Sequence, residues 1–142
     1  MTIFSRPIEI LLIGGDAETL RRISELLSAG GAAVRIRTAT DGKEAMAILQ
    51  ESAGATQRPD LVVLTPATPG EEQGILTAIK GDEGLRRVPV IVLIDDDAPS
   101  AILAAYQQGA NACIVRPAER AEFEEMVGKL RDFWLQAVSF PS

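Results

Sequence analysis

The chain has 142 residues, 46% of them hydrophobic and 24% charged, which suits one globular domain with a sizeable core. A formal net charge of -6 argues against a nucleic-acid backbone or an anionic membrane surface as the main partner. The absence of histidine removes imidazole catalysis and most zinc sites, and the single cysteine, Cys113, allows no internal disulfide.

The first apolar run, IEILLI (8–13), leads into Gly14-Gly15 and then Asp16, a candidate N-cap for a helix with Leu20, Ile23, Leu26 and Leu27 on one face. AVRIRT (33–38) alternates, as an edge strand with one wetter face does. Asp41 and Glu44 have capping-box spacing ahead of Ala45, Met46, Ile48 and Leu49. The long polar loop ESAGATQRP (51–59) precedes LVVLT (61–65), a continuous apolar run that stops at Thr65-Pro66. Ile75, Leu76 and Ile79 mark a third helix. PVIVLI (89–94) runs into Asp95-Asp96-Asp97, and Ala101, Ile102, Ala105 and Tyr106 mark a fourth helix closed by Gly109. ACIV (112–115) ends at Arg116-Pro117, and Cys113 within it reads as buried core. Phe123, Met126, Val127, Leu130 and Trp134 predict a fifth helix from Glu119 to about Ala137, about 28 Å long at about 1.5 Å per residue.

Five βα units with right-handed crossovers predict an α/β fold, a doubly wound five-stranded parallel sheet with helices on both faces. One domain is expected over 1–142, with its core at about 7–130 and a C-terminal tail at about 131–142. No apolar stretch approaches the roughly 20 residues of a membrane span. The N-terminus lacks the pattern of a signal peptide, so a cytoplasmic location is expected.

Such folds place their site at the carboxyl ends of the strands, which here are Gly14-Gly15-Asp16, Thr65-Pro66, Ile94-Asp95-Asp96-Asp97 and Arg116-Pro117. The two glycines match neither a dinucleotide fingerprint nor a P-loop, and they read as a tight turn. Asp97 reads as a solvated capping residue. Asp95 and Asp16 are the candidate carboxylate partners of Arg116, which ends a strand.

These loops and their spacing resemble the receiver domain of two-component response regulators. RPDLVVLTPATPG is similar to the family's third strand and turn, LRRVPVIVLI to the approach to the fourth strand, GANACIVRP to the fifth strand, and DGKEAMAIL to the second helix. YQQGANACIVRP and FEEMVGKLRDFWLQAVSFP resemble the small single-domain regulators associated with phytochrome kinases. The resemblance implies phosphoryl transfer from a kinase histidine to an aspartate, aided by Mg²⁺ on two acidic residues, a Ser or Thr, and a Lys. By that correspondence the acceptor is Thr65, the acidic pair falls on Gly14 and Gly15 with Asp16 one step further, the Ser/Thr position is Ile94, the lysine is Arg116, and Pro117 persists.

The expectation is a non-enzymatic receiver with no catalytic residue, no metal and no cofactor. It is read as a phosphorylation-independent module that forms a homodimer and binds a sensor histidine kinase, such as a bacteriophytochrome, or another signalling protein. Phe133, Trp134, Leu135, Val138 and Phe140 are the expected dimer contacts, because apolar residues this dense at a chain end need cover. One alternative is a regulator phosphorylated on Thr65 by unusual chemistry. Another is a small anion- or nucleotide-binding protein, or an enzyme, on the same sheet.

Overall fold

The computed structural model describes residues 7–14, 16–31, 33–52, 58–66, 71–95 and 99–137. Strands and helices alternate: β1 (Ile8–Gly14), α1 (Ala17–Ser28), β2 (Val34–Ala39), α2 (Gly42–Ser52), β3 (Leu61–Thr65), α3 (Glu71–Gly81), β4 (Val90–Ile94), α4 (Pro99–Gln107), β5 (Ala112–Val115) and α5 (Arg120–Asp132). All four strand pairings are parallel, in the order β2-β1-β3-β4-β5. The expected doubly wound sheet is therefore observed, and its winding reverses between β1 and β3.

Period-two alternation along the central strands builds two cores. Leu11, Ile13, Val62, Leu64, Val90, Val92 and Ile94 face the layer of α2, α3 and α4. Ile10, Leu12, Leu61, Val63, Ile91 and Leu93 face α1 and α5. Burial on both faces explains why β3 and β4 are apolar almost throughout and why β1 is continuously apolar from Ile10 to Ile13.

Local signals set the helix ends. Asp16 caps α1, its Oδ1 accepting from the Glu18 N–H at 3.0 Å. Asp41 Oδ1 accepts from the Glu44 N–H at 2.8 Å. Gly109, at φ 110°, ends α4; its N–H donates to Tyr106 O, and the Ala110 N–H donates to Ala105 O. The C-terminal turn of α1 is finished from a distance: Arg131 of α5 donates from Nη1 to Leu26 O at 3.1 Å.

Two expectations fail here. β5 is the second edge strand, so Cys113 is half-buried rather than core, and Val115 is exposed. Among the described residues, β5 pairs with β4 alone. The fifth helix is also not one regular α-helix from Glu119 to Ala137. It is α-helical to Asp132 and continues as a π-helical turn, Phe133–Ala137. Leu135, expected to face a partner chain, is instead 6% exposed in the core beside α1 and α5, while Phe133 is 57% exposed.

Candidate functional site

The carboxyl ends of β1 and β3 meet at the winding reversal, where Gly14 and Thr65 are register partners. Thr65 is 3% exposed. A Cβ at Gly14 would lie 2.8 Å from Thr65 Oγ1, 2.9 Å from Thr65 O and 3.3 Å from Leu20 Cδ2. The threonine thus fills the space a side chain at position 14 would need. Gly15 lies outside the described residues.

Asp16 is exposed at the head of α1, with both oxygens committed to the cap. Oδ2 accepts from the Thr19 hydroxyl at 2.7 Å, and Oδ1 serves Glu18. The Thr19 hydroxyl is the main reason its carboxyl titrates below the usual value, with the Arg116 charge adding a smaller pull in the same direction.

Arg116 leaves β5 with its N–H donating to Ile94 O at 2.8 Å. Its Nε lies 3.6 Å from Asp95 Oδ1, and its guanidinium sits over the Phe123 ring at 5.4 Å from the centroid. The Asp95 side chain is 80% exposed, so this pair is loose and screened by water. The other expected partner, Asp16, feels the Arg116 charge, which helps to lower its carboxyl's titration. The Phe123 stacking was not anticipated from sequence, where that residue read only as helix core. Ile94, 6% exposed, packs into the α2–α4 core and offers no hydroxyl. Pro117 lies beside Arg116 and is half-buried. Asp96 and Asp97 lie outside the described residues.

The receiver resemblance implies Mg²⁺, and the described residues at these strand ends do not assemble a carboxylate set that fits it. Among the described residues no group of three or more His, Cys, Asp or Glu side chains could hold a metal ion. Position 14, where a carboxylate ligand would stand, is closed by Thr65.

Residues 10–128 match the family described as the response regulator receiver domain. The chain belongs to that family. Response regulator Rcp1 of Synechocystis sp. is 27% identical over 142 residues, covering 97% of each chain. Chemotaxis protein CheY-3 of Vibrio cholerae is 31% identical over 130 residues, covering 90% of this chain and 95% of that one. Among solved structures, the phosphorylated cyanobacterial phytochrome response regulator RcpA is similar at a TM-score of 0.87 and 29% identity, covering 96% of this chain and 100% of that one. The Mn²⁺-bound form of Rcp1 is similar at a TM-score of 0.86 and 28% identity, with the same coverage.

Among the described residues, the large exposed hydrophobics lie on elements at the β5 edge of the sheet. Leu103 (57% exposed) and Tyr106 (47%) lie on α4, Val115 (36%) ends β5, and Phe133 (57%) follows α5. The Tyr106 hydroxyl accepts from the Cys113 N–H at 3.2 Å, tying α4 to that edge strand. Trp134 is half-buried and meets Phe133 edge to face, with ring centroids 5.7 Å apart. Of the residues expected in a dimer contact, Phe133 and Trp134 are accessible and Leu135 is not; Val138 and Phe140 lie outside the described residues. Among the described residues no helix is long and apolar enough to cross a membrane.

Proposed function

We propose that this receiver signals without accepting phosphate on aspartate, as a dimeric protein-binding module for a sensor histidine kinase or another signalling protein. The observation that carries this reading is the pairing of Gly14 with Thr65. The position corresponding to the acceptor is a buried hydroxyl, and the hydroxyl and carbonyl oxygens of Thr65 crowd the point where a side chain at position 14 would begin. A carboxylate nucleophile and hard oxygen ligands are what aspartyl phosphorylation uses. Neither is supplied by Gly14 or Thr65. Modification of Thr65 is disfavoured by the same burial, because an enzyme or donor has to reach the hydroxyl.

The likeness to Rcp1 and to RcpA, a phytochrome response regulator, supports a kinase of phytochrome type as the partner. RcpA is described as phosphorylated and Rcp1 as Mn²⁺-bound, so the departure lies in this chain's own residues. The apolar edge formed by α4, β5 and the end of α5 supports a two-fold homodimer with Phe133 and Trp134 in the contact.

Incubation with a small phosphodonor and Mg²⁺ tests the first half of the proposal. The intact mass stays unchanged, both for the native chain and for Thr65→Asp, because the metal ligands remain missing. Gain of one phosphoryl group by the native chain overturns it. Light scattering tests the second half. The native chain runs as a dimer at micromolar concentration, and Phe133→Ala with Trp134→Ala shifts it towards monomer with little change in far-UV circular dichroism. A native monomer refutes the dimer.

A further inference from the structure

The two edges of the sheet differ. β5 has four residues, and the Tyr106 hydroxyl of α4 accepts from its Cys113 N–H. β2 has six residues, and among the described residues it pairs with β1 alone. The Ile8 N–H donates to Ala33 O at 2.9 Å, and Ile8 is the register partner of Val34. In a parallel ladder this fixes the parity of the strand. The N–H and C=O groups of Arg35, Arg37 and Ala39 face β1, and those of Val34, Ile36 and Thr38 face away from it. Among the described residues no other backbone group bonds to that outward row. Such a row is a template for one more strand.

Side-chain parity adds a chemistry to the edge. Val34 and Ile36 are half-buried against the core beneath α1 and α5. By alternation Arg35 and Arg37 lie on the other face, where Ala39 joins the second core. Arg35 Nη1 lies 3.3 Å from Glu9 Oε2. Glu9 is buried while the Arg35 side chain is 59% exposed, so the pair steadies the arginine and leaves much of its guanidinium in solvent. Glu9 is the one carboxylate on β1 and β2, against the two arginines.

The arginines disfavour a second copy at this edge. Two-fold pairing of β2 with itself is antiparallel. Centred on Arg35, Ile36 or Arg37, it sets an arginine opposite an arginine on the same face. Like charges directly opposite one another are destabilising, and opposite charges are stabilising. A segment with Asp or Glu at every second position satisfies both arginines. Its intervening apolar side chains continue the Val34–Ile36 face.

We infer that the β2 edge takes up an extended segment of a partner protein in which acidic residues alternate with apolar ones, over the six residues that β2 offers. Backbone bonds to Val34, Ile36 and Thr38 hold the segment, and Arg35 and Arg37 select it. The site lies at the opposite edge of the sheet from β5 and uses neither Thr65 nor the apolar tail, so it is independent of the proposed function.

Nuclear magnetic resonance titration of the labelled full chain with a capped Thr-Glu-Val-Glu-Val-Glu-Thr peptide tests it. Saturable shifts are expected at the amides of Val34, Ile36 and Thr38, with slower hydrogen exchange there. Arg35→Gln and Arg37→Gln each weaken binding about threefold. Thr38→Pro removes one outward N–H from an edge strand, where proline is tolerated, and weakens binding at least about tenfold. N-methylation of one alternate set of peptide amides, and not of the other, gives the same loss without touching the protein, and it decides the question if the proline variant does not fold. A peptide with lysine for glutamate, and one of the same composition with its glutamates grouped, each bind at least about tenfold more weakly. No saturation up to about 5 mM, shifts centred on β5, or equal binding of the grouped peptide overturns the proposal. Loss of self-association in Thr38→Pro also overturns it, because β2 would then be an interface between copies.

Discussion

Replacing Gly14 with alanine separates two explanations of the glycine by the sign of the effect. Gly109 is the only described residue at positive φ, so the backbone at Gly14 is one an alanine adopts without strain. On backbone entropy alone, Gly14→Ala would stabilise the fold by about 0.4–1 kcal/mol. The added Cβ, however, meets Thr65 Oγ1 at 2.8 Å and Thr65 O at 2.9 Å, and overpacking of this kind costs about 1–3 kcal/mol. A net loss of about 1–2 kcal/mol is expected, or a fall in unfolding midpoint of about 3 °C per kcal/mol for a domain of this size. In a Thr65→Ala background the Oγ1 clash is gone but the carbonyl clash remains. The cost of Gly14→Ala should therefore shrink by about 0.5–1 kcal/mol without vanishing. Urea titrations of the four proteins, followed by far-UV circular dichroism, measure both quantities. A stabilised Gly14→Ala, or an identical cost in both backgrounds, refutes the steric account.

Gly109→Ala combines a strained φ of 110° with a Cβ placed 2.5 Å from Lys80 Cγ, and it should cost at least about 1 kcal/mol in urea titration. It also disturbs the Lys80 ammonium, which donates to Arg86 O and Val88 O across the α3–β4 turn. Asp16→Ala should lower the unfolding midpoint at pH 7. The folded carboxyl titrates below its ordinary 3.8, so the stability it supplies is present above that pH and is lost as pH falls through the folded value. The gap between native and variant midpoints should therefore narrow in acid. Burial, and then the Glu72 charge, push the Cys113 thiol up from its usual 9.0, so maleimide labelling at pH 8 should be slower than for a free thiol and faster in Glu72→Gln.

What was legible in the chain was local. Asp16, Asp41 and Gly109 act on residues within a few positions of themselves, so their capping roles follow from spacing. The apolar runs of β1, β3 and β4 and the alternation of β2 reported two-sided or one-sided burial directly. Strand order is not written in any one run, and the short ACIV segment read as interior although β5 is an edge. The contacts that shape the site join distant segments. Gly14 against Thr65 and Arg116 over Phe123 depend on which loops the winding brings together. Periodicity carries no record of that.

The π-helical turn after α5 gives the tail a phase that its composition does not reveal. Val127 and Leu130 face inward, and an unbroken α-helix would carry that stripe to Trp134. The wider turn delays the rotation by about one residue, so Leu135 takes the inward position and Trp134 stands at the margin with Phe133 outside. The outward apolar surface is thus set by counting as much as by chemistry. Deleting Asp132 would retain every apolar residue of the tail, yet it would change which of them the domain keeps and which it displays. Among close variants of this chain, single-residue length changes near Asp132 should alter self-association more than conservative substitutions of the aromatic residues.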